Sequence, residues 1–462
     1  MKFNSQYVRL SATDLSNHLA CRDLTSFDLA VALGQTAAPA VRIPDLWVLQ
    51  ELGLRHEQAY LDHLARTGLS IVNLADIGDE KQAQAETLRA MEKGIAVIAQ
   101  ATLADGCWFG RADVLRRTES ASQLGAWSYE IHDCKLARET KAATILQLSL
   151  YSELLATAQG VQPEWMHVVL PSDEFIPERY RVLDFAAYYR YVKNRLEAVA
   201  QSNAVGTYPE PNPNCPICRW EQDCDTFWRR NDHLSLVAGI SKLQRKQLKV
   251  WETDTVELLA RLPIPLQQRP KYGSKDGYAR VREQARVQVA GRVEHRPVYE
   301  LLDVVETRGL TRLPQPSPGD VFFDLEGDPF VGLGGREYLF GTVTEDQTGV
   351  PVYECRWATS PEAEKQAFEW LVDLIMARWV QHPAMHIFHF HSYEPSALKR
   401  LMGRYATRED QIDRMLRAGI FVDLHTVVKQ AVRASVEQYS LKALEVFHGF
   451  QRKMPLDEAR RA

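Results

Sequence analysis

The sequence predicts an α/β protein of several domains, and three observations support this prediction. Its 462 residues exceed the size of one ordinary domain, so two to four domains are expected. Stretches with the apolar spacing of helices alternate along the chain with short β-rich stretches. A Pro-rich segment at residues 313–320, LPQPSPGD, precedes a new strand, VFFDLEGDP, and therefore marks the start of a last domain.

Composition narrows the class of protein. The chain is 45% hydrophobic and 25% charged, as ordinary globular proteins are. Its net charge of -5 argues against a strongly basic coat protein, although a local basic channel is compatible with that average. No apolar run approaches the roughly 20 residues of a membrane span and the amino terminus lacks an apolar signal core, so we expect a cytoplasmic protein without membrane contact. In such a protein, the seven cysteines are expected to be thiols or metal ligands.

Local patterns predict the elements of the first 232 residues. Residues 10–100 read mainly as helices, among them an amphipathic helix over residues 81–101, KQAQAETLRAMEKGIAVIAQA. Two short strands follow, GCWFGRADVLRR and AWSYEIHDCKL, and their polar connection predicts a hairpin. The remaining predictions are a helix from about 140 to 158, a strand at EWMHVVLP, a helix over 184–202 and a loop at TYPEPNPNCPICRWEQDC.

Two aspartates fall at the ends of the paired strands. Asp113 ends GRAD and Asp133 ends YEIHD, and a hairpin brings both carboxylates to one end of the sheet. Hard cations such as Mg²⁺ or Mn²⁺ prefer oxygen ligands of this kind, and a bound metal assists phosphodiester hydrolysis. Lys135 shares the face of Asp133, where an ammonium can position water or stabilise developing negative charge. A solvated strand end is the alternative for Asp-x-Lys, and Glu130 is a rival acid on the opposite face.

The helix behind these strands carries a polar stripe. The stripe consists of Thr140, Thr144, Gln147 and Tyr151. Their spacings of four, three and four residues place them on one helix face, while most of the leucines lie elsewhere. A polar stripe beside two carboxylates predicts the wall of a site.

Together these residues resemble the RecB-type branch of the PD-(D/E)XK nucleases. That branch has a Gly-x-x-Asp strand, an Asp-x-Lys strand and a helix with Gln-x-x-x-Tyr. It also has an upstream helical histidine, for which GLRHEQAYLDHL offers His56 with Glu57 beside it; a surface or capping role is the alternative. The resemblance implies a restriction-endonuclease-like nuclease core. The implied metal ligands are His56, Asp113 and Asp133, the implied catalytic lysine is Lys135, and the implied DNA- or site-organising residues are Gln147 and Tyr151.

Three cysteines cluster in the loop CPICRWEQDC. Cys215, Cys218 and Cys224 are close in sequence, and three thiolates need a fourth ligand for a tetrahedral or cubane site. The other cysteines are Cys21, Cys107, Cys134 and Cys355. The pattern is similar to the iron–sulfur subgroup of the RecB-type family, which implies a [4Fe–4S] cluster on Cys21 and the three clustered cysteines. Such a cluster staples the two ends of the nuclease domain together. Zinc on the same residues and unligated thiols are the alternatives.

The middle region, residues 233–315, is predicted to be helical and basic. Residues 236–263 look like two short helices about a turn and resemble a helix-hairpin-helix, although the hairpin glycines are missing. Residues 269–296 hold eight Lys or Arg against three Asp or Glu, with Tyr272 and Tyr278 among them. This stretch either follows a nucleic-acid backbone or is a solvated basic face.

The last domain, residues 316–462, carries further acids at predicted strand ends. Asp324 and Glu326 share one strand face, and paired carboxylates there are typical of two-metal sites. The stretch resembles the first motif of DnaQ-like exonucleases and is closest to the YprB-type RNase H-like domains that follow RecB-type nucleases. HIFHFHSYEPSALKRL resembles the second motif, with Glu394, and FVDLHTVVKQ a later part, with Asp423. The usual final motif, a His or Tyr four residues before an Asp, has no match before Ala462, so a truncated, a degenerate or a substrate-guiding domain all stay open.

The combined prediction is a metal-dependent nuclease that hydrolyses phosphodiester bonds of DNA. Single-stranded or end-bearing DNA is the expected partner, in repair, recombination or defence. A helicase in trans or in a longer chain is the second expected partner. The alternative is a catalytically silent, nucleic-acid-binding scaffold of a larger nuclease–helicase.

Overall fold

The computed structural model describes residues 1–4, 6–40, 46–172, 174–202, 208–332 and 334–450. The chain forms two compact units, Met1–Cys224 and Asp225–Ala462, which we call the amino-terminal unit and the carboxyl-terminal unit. Among the described residues, no helix is both long enough and apolar enough to cross a membrane.

The amino-terminal unit is built on an eight-stranded sheet. Its strands are β1 (Lys2–Phe3), β2 (Val8–Ser11), β3 (Ile71–Asn73), β4 (Val97–Asp105), β5 (Trp108–Thr118), β6 (Ser128–Cys134), β7 (Trp165–Val169) and β8 (Glu178–Arg181). Its helices are α1 (Ala12–Ala20), α2 (Arg22–Ala32), α3 (Leu46–Arg66), α4 (Glu80–Glu92), α5 (Ala142–Gln159), α6 (Val182–Ser202) and α7 (Glu221–Arg230), which contains the boundary between the units. The predicted hairpin is β5 and β6, and the predicted helices over 140–158 and 184–202 are α5 and α6.

Strand β5 lies at the centre of this sheet. Strand β4 runs antiparallel along one edge of it. The other edge is shared, because β2 pairs with Trp108 and Phe109 whereas β6 pairs with the stretch from Val114 to Thr118. In the described chain, residues 110–113 of β5 therefore have no ladder partner on this second edge. The strands separate at this point, which leaves room for side chains between them.

The predicted helix over residues 81–101 is wrong in its second half. Helix α4 ends at Glu92, and Val97 already begins β4. Gly94 takes the left-handed conformation with φ of 66°, and the amide of Ile95 donates to the carbonyl of Ala90 at 3.2 Å, which is a Schellman helix end. Strand β4 is buried on both faces, so its nearly continuous apolar run has no alternation that separates it from a buried helix.

The carboxyl-terminal unit contains the predicted middle and last regions together. Its helices are α8 (Lys242–Val250), α9 (Val256–Arg261), α10 (Lys275–Glu294), α11 (Pro361–Gln381), α12 (Tyr393–Tyr405), α13 (Glu409–Ala418), α14 (Leu424–Ala431) and α15 (Leu441–Leu444). Its strands are β9 (Tyr299–Leu301), β10 (Val321–Asp328), β11 (Arg336–Glu345), β12 (Pro351–Trp357), β13 (Ile387–His389), β14 (Phe421–Asp423) and β15 (Val432–Ala434). The two short helices predicted within 236–263 are α8 and α9, which begin at the caps Ser241 and Thr255.

Five strands form the main sheet of this unit in the order β12-β11-β10-β13-β14. Strands β10, β11 and β12 are antiparallel, while β13 and β14 run parallel to β10. The side chains of β10 alternate, so Val321, Phe323 and Leu325 enter the core beneath α11 and α12. Residues Phe322 and Asp324 lie on the opposite, open face.

A second, two-stranded sheet joins the middle region to the end of the last region. Strand β9 pairs antiparallel with β15, which directly follows α14. Gln284 of α10 is buried beside it, donates to the carbonyl of Ala434 at 2.8 Å and accepts from the Tyr439 hydroxyl at 2.9 Å. Tyr278, one of the two tyrosines of the basic stretch, is also buried and packs against Trp251 with ring centroids 5.2 Å apart. Its ring is therefore not available at the surface to a nucleic acid.

Candidate functional site

The separation of β5 and β6 forms the predicted site of the amino-terminal unit. Beyond the pair of Val114 and His132 the two strands diverge, and Asp113 and Asp133 lie across the gap. The amide of Cys134 donates to Oδ2 of Asp113 at 2.8 Å instead of to a backbone carbonyl. The two carboxylates are close enough for the charge of each to affect the other.

Asp133 is fully buried, and both an ammonium group and a side-chain amide contact its carboxylate. Nζ of Lys135 lies 2.5 Å from its Oδ2, and Nε2 of Gln147 donates to its Oδ1 at 3.2 Å. The contact with Lys135 is an ion pair without good hydrogen-bond geometry, so Oδ2 has no hydrogen-bond partner among the described residues. Burial and the charge of Asp113 raise the pKa of Asp133, and Lys135 opposes this shift.

Lys135 retains its proton in this environment. Burial alone lowers the pKa of Lys135, but the charges of Asp133 and Asp113 reverse that effect and leave the pKa raised. An ammonium group therefore lies between two acids at the end of β6.

Tyr151 closes the wall of the site as the polar stripe predicts. Its hydroxyl accepts from Gln147 at 3.4 Å, and the ring lies against Gly110 of β5. Burial and the charges of Asp133 and Asp113 raise the pKa of Tyr151, so the hydroxyl stays neutral. Thr140, at the other end of the stripe, donates to Oε2 of Glu178 at 2.6 Å.

Gly110→Ala is expected to disturb this wall. A methyl group on residue 110 would overlap the Tyr151 ring, so Tyr151 has to move away from Gln147. Overpacking of this kind costs about 1–3 kcal/mol of unfolding free energy. Denaturant titration of the variant should show that loss. Gly78→Ala is the matched control, because a Cβ there meets nothing within 4 Å; equal stability of both variants would contradict the packing described.

Glu57 lies within electrostatic range of the acids. Burial raises the pKa of Glu57, the hydrogen bond from Gln100 lowers it, and the charge of Asp113 raises it again. His56 is nearby but engaged, because its Nε2 lies 2.9 Å from the carbonyl of Val169, which also accepts from the amide of Lys135. His56 therefore lies near Lys135, at the end of β6, but its ring contacts a backbone carbonyl and not the carboxylates.

Gln100 holds Glu57 through an unusual backbone conformation. Its Nε2 donates to Oε1 of Glu57 at 2.6 Å, and its φ of 55° lies in the left-handed region that residues other than glycine rarely adopt. Gln100 interrupts the ladder between β4 and β5 opposite Asp113. Strained residues of this kind are frequent at functional sites. A lone polar residue in the apolar run AVIAQATL is the only sign of it in the sequence.

Glu130 is directed away from this centre. Its carboxylate accepts from the amide of Trp165 at 3.2 Å and pairs with Nε2 of His167 at 2.9 Å. His167 in turn stacks on His132 with ring centroids 4.1 Å apart. The rival acid therefore belongs to a separate polar cluster on the other face of β6.

Four cysteines lie together in the amino-terminal unit. Cys21 lies at the junction of α1 and α2, Cys215 and Cys218 flank a short 3₁₀ turn, and Cys224 lies in α7. Burial raises the pKa of each of the last three thiols, and the other cysteines of the group, including Cys21, raise it further. All four are free thiols. Each is thus within electrostatic range of the others.

Two backbone amides are directed at the sulfurs of this group. The amide of Asn212 donates to Sγ of Cys215 at 3.3 Å and that of Trp220 to Sγ of Cys218 at 3.5 Å. Asp28 of α2 ties the segment to the start of the chain, because it pairs with Arg219 and accepts from Nε1 of Trp220 at 3.2 Å. Amide-to-sulfur hydrogen bonds stabilise metal-bound thiolates.

Three acids of the carboxyl-terminal unit meet at one end of its main sheet. Partial burial of the carboxyl group, the charges of Glu326 and Glu394, and a hydrogen bond with Glu394 raise the pKa of Asp324 to about 6. Glu394 lies in the first turn of α12 and is 4% exposed. Its Oε2 has no hydrogen-bond partner among the described residues, and Nδ1 of His389 lies 3.7 Å from it.

Part of the carboxyl-terminal unit matches a known superfamily. Residues 321–460 match a family model described as the RNase H superfamily. A comparison with curated proteins found no match for the chain. The match confirms the RNase H-like domain predicted at the end of the chain, within a superfamily whose members are usually metal-dependent nucleases.

Asp423 has a different environment from the other acids of the RNase H-like domain. Its Oδ1 accepts from the amides of His391 and His425 at 2.9 and 3.0 Å, and its Oδ2 from the hydroxyl of Thr426 at 2.5 Å. Partial burial raises the pKa of Asp423, but these hydrogen bonds outweigh it and lower the pKa. Asp423 thus caps α14. The final motif, for which the sequence offers no match before Ala462, stays without a counterpart among the described residues, and residues 451–462 lie outside them.

An aromatic cleft of about 330 Å³ opens beside Asp324. The rings of Phe322 and Phe388 stack with centroids 4.8 Å apart on the open face of the sheet. Phe390, Tyr353 and Leu424 are among the other residues that line the cleft.

The acids and the thiols form groups, but their side chains do not have the geometry of a metal-binding site. In the part of the chain that the structure describes, no three His, Cys, Asp or Glu side chains are arranged closely enough to hold a metal ion. The chemistry of the donors nevertheless fits metals. Each acidic centre contains a buried carboxylate oxygen without a hydrogen-bond partner in the described chain, and repulsion between its carboxylates is what a divalent cation relieves.

Proposed function

We propose that this chain is a metal-dependent nuclease that hydrolyses phosphodiester bonds of DNA. The observation that carries the proposal is the buried Asp133 beside Asp113, with Lys135 paired to it and Gln147 bound to it. A fully buried carboxylate beside a second acid and a charged lysine is costly for a fold, and apolar side chains would serve a purely structural role better. A reaction that needs these groups accounts for that cost.

The donor set fits Mg²⁺ or Mn²⁺. Asp133 and Asp113 supply the hard oxygen ligands that these ions prefer, and Glu57 is a further acid within electrostatic range. His56 stays a predicted ligand, and binding would require its ring to leave the carbonyl of Val169. A bound metal ion supplies a water of lowered pKa and neutralises charge on the phosphate.

The side chains of the site then position the attacking water and stabilise the charge that develops during the reaction. Lys135 is charged and faces the acids, so its ammonium can orient the attacking water and stabilise the developing negative charge. Gln147 fixes the carboxylate of Asp133 through Oδ1. Tyr151 restricts Gln147 and excludes solvent from that side.

The RNase H-like domain supplies a second acidic centre for the same class of reaction. Asp324, Glu326 and Glu394 are the proposed metal-binding acids, and Asp423 is proposed to hold the loop at His391 in place. The aromatic cleft favours a single strand, since a base must be unstacked to lie on the exposed ring of Phe322, which the buried ring of Phe388 supports from behind. Single-stranded or end-bearing DNA is therefore the proposed substrate, and a helicase is a partner that would supply it.

The four cysteines are proposed to bind a [4Fe–4S] cluster. Four free thiols within electrostatic range of one another, two of them accepting amide hydrogen bonds, are a suitable donor set. A cluster there joins residues near both ends of the amino-terminal unit. Reduced thiols suit the cytoplasm, which is the location that we propose. Zinc is the competing metal for the same ligands.

Cleavage assays on the full chain test the function. Protein purified without oxygen is incubated with end-labelled single-stranded DNA, duplex DNA and RNA in Mg²⁺ or Mn²⁺. We expect cleavage of single-stranded DNA that Lys135→Ala and Asp324→Asn each reduce in part and that the double variant Lys135→Ala/Asp324→Asn abolishes. Binding without cleavage in both metals would instead establish the alternative, a silent nucleic-acid-binding scaffold.

A further inference from the structure

A polar cleft of about 520 Å³ in the carboxyl-terminal unit has no role in the function proposed above. It lies between α10, α14 and the segment that follows β15. Its charged and titratable lining residues are Arg280, His425, Lys429, Arg433, Glu437 and Tyr439. The cleft is thus built by the middle region and the RNase H-like domain together.

Two of its positive charges are uncompensated. Arg433 interacts with Glu300 at 3.4 Å, and Glu437 is held by both terminal nitrogens of Arg229 at 2.9 and 3.1 Å. Arg280 and Lys429 have no carboxylate partner within the described residues. The cleft is therefore positive, although the whole chain has a net charge of -5.

The contrast within α10 shows that this is not a general basic surface. Other arginines of the helix are committed to ion pairs, since Arg286 pairs with Glu300 at 2.6 Å and Arg282 pairs with Glu283. Arg292 pairs with Asp232 at 2.5 Å. Arg280, which faces the cleft, differs from these three.

The positive cleft adjoins the RNase H-like centre. His425 lines the cleft, and its ring lies 4.7 Å from that of His391, three residues before Glu394. Burial and the charge of Lys429 lower the pKa of His425, so the ring at this junction is neutral. The neighbouring Leu424 lines the aromatic cleft beside Asp324. The start of α14 thus separates an aromatic surface from a positive one.

Aromatic platforms followed by a positive groove are how proteins hold single-stranded nucleic acid. We propose that Arg280 and Lys429 bind backbone phosphates of a single strand whose terminal base occupies the aromatic cleft at Asp324. This inference rests on the nuclease function proposed for the RNase H-like centre. It adds the direction in which the strand leaves that centre, past His425 and along α14 and α10.

Binding without catalysis tests this proposal separately from the nuclease function. In EDTA, the affinity of the full chain for a fluorescein-labelled single-stranded DNA is measured by anisotropy across a series of salt concentrations. The double variant Arg280→Ala/Lys429→Ala is expected to bind about tenfold more weakly. Its slope of log affinity against log salt should fall by about 1.4, because each lost phosphate contact on a single strand contributes about 0.7.

Hydrogen exchange locates the effect, since the amino-terminal unit is also proposed to bind DNA. In the wild type, DNA should protect peptides from α14 and from the first half of α10, and the double variant should lose that protection. Lys365→Ala, which removes a positive charge from an exposed residue of α11, is the control and should keep both the protection and the salt slope of the wild type. Unchanged protection and salt slope in the double variant would overturn the proposal even if the chain proves to be a nuclease. Absence of cleavage in Mg²⁺ and Mn²⁺ would overturn the nuclease function alone, since the binding result does not depend on it.

Discussion

Asp133→Asn is expected to lower the rate of DNA cleavage by the amino-terminal unit by about 10³, which corresponds to several kcal/mol of transition-state stabilisation. The amide keeps the shape of the side chain but cannot serve as an anionic metal ligand. Gln147 can still contact the remaining oxygen, so the wall of the site is expected to stay in place. Single-turnover cleavage of labelled DNA in Mg²⁺, measured in an Asp324→Asn background, isolates this centre.

The same substitution should not destabilise the fold when metal is removed. Burial and Asp113 raise the pKa of Asp133 above its ordinary 3.8, so the folded chain binds its proton more tightly than the unfolded chain does. The unfolding free energy of the wild type therefore falls as pH rises from about 4 towards the raised pKa. The asparagine variant has no carboxyl group at this position, so its unfolding free energy does not fall for this reason. In EDTA, we expect the variant's advantage in unfolding free energy to grow between about pH 4 and neutral pH.

Asp76→Asn is the matched control, because Asp76 is exposed in the same unit. It should retain both the cleavage rate and the pH dependence of the wild type. If Asp133→Asn cleaves DNA as fast as Asp76→Asn, Asp133 is not a metal ligand, and the proposed centre of the amino-terminal unit is refuted.

Cys215→Ala is expected to remove the iron–sulfur cluster and much of the stability of the amino-terminal unit. A link between Cys21 and Cys215 closes a loop that covers most of the unit. In the chain-entropy treatment of cross-links, a closed loop of this length is worth about 5 kcal/mol. The wild type purified without oxygen should be brown, with absorbance near ~400 nm from thiolate-bound iron, and the variant should be colourless. The midpoint of its unfolding in urea should shift to a lower urea concentration.

Cys107→Ala and Cys355→Ala serve as controls for this second prediction. Cys107 packs against the core of the amino-terminal unit and Cys355 belongs to β12, so neither is expected to change the colour. Iron and acid-labile sulfide analysis completes the experiment. Colourless wild-type protein with bound zinc would refute the iron–sulfur assignment, and a cluster that survives Cys215→Ala would refute the ligand set.

Patterns with a strong local cause were predictable from the sequence. Helix α5 has a polar stripe that ends in Gln147 and Tyr151, and both residues lie where the stripe predicts, beside Asp133. The alternation along β10 likewise predicted that Asp324 and Glu326 share the open face of the sheet. In both cases, the period of the element determines the direction of the side chain.

Features that depend on the rotation or pairing of whole elements were not predictable. His56 and Glu57 are neighbours on α3, and which of them faces Asp113 depends on how that helix is rotated against the sheet. The left-handed conformation of Gln100 follows from a ladder irregularity between β4 and β5. The free charge of Arg280 likewise depends on which arginines of α10 find acids elsewhere in the fold.

The small sheet of β9 and β15 limits where recombination between genes can cut this part of the chain. The family match starts at Val321, but β15, within that match, forms its ladder with Tyr299–Leu301, which lies before it. A gene segment cut at the start of the match would carry β15 without its partner and expose an unpaired strand edge, a frequent cause of aggregation. Recombination can therefore move the RNase H-like domain between proteins as a stable piece only if the preceding strand and α10 travel with it.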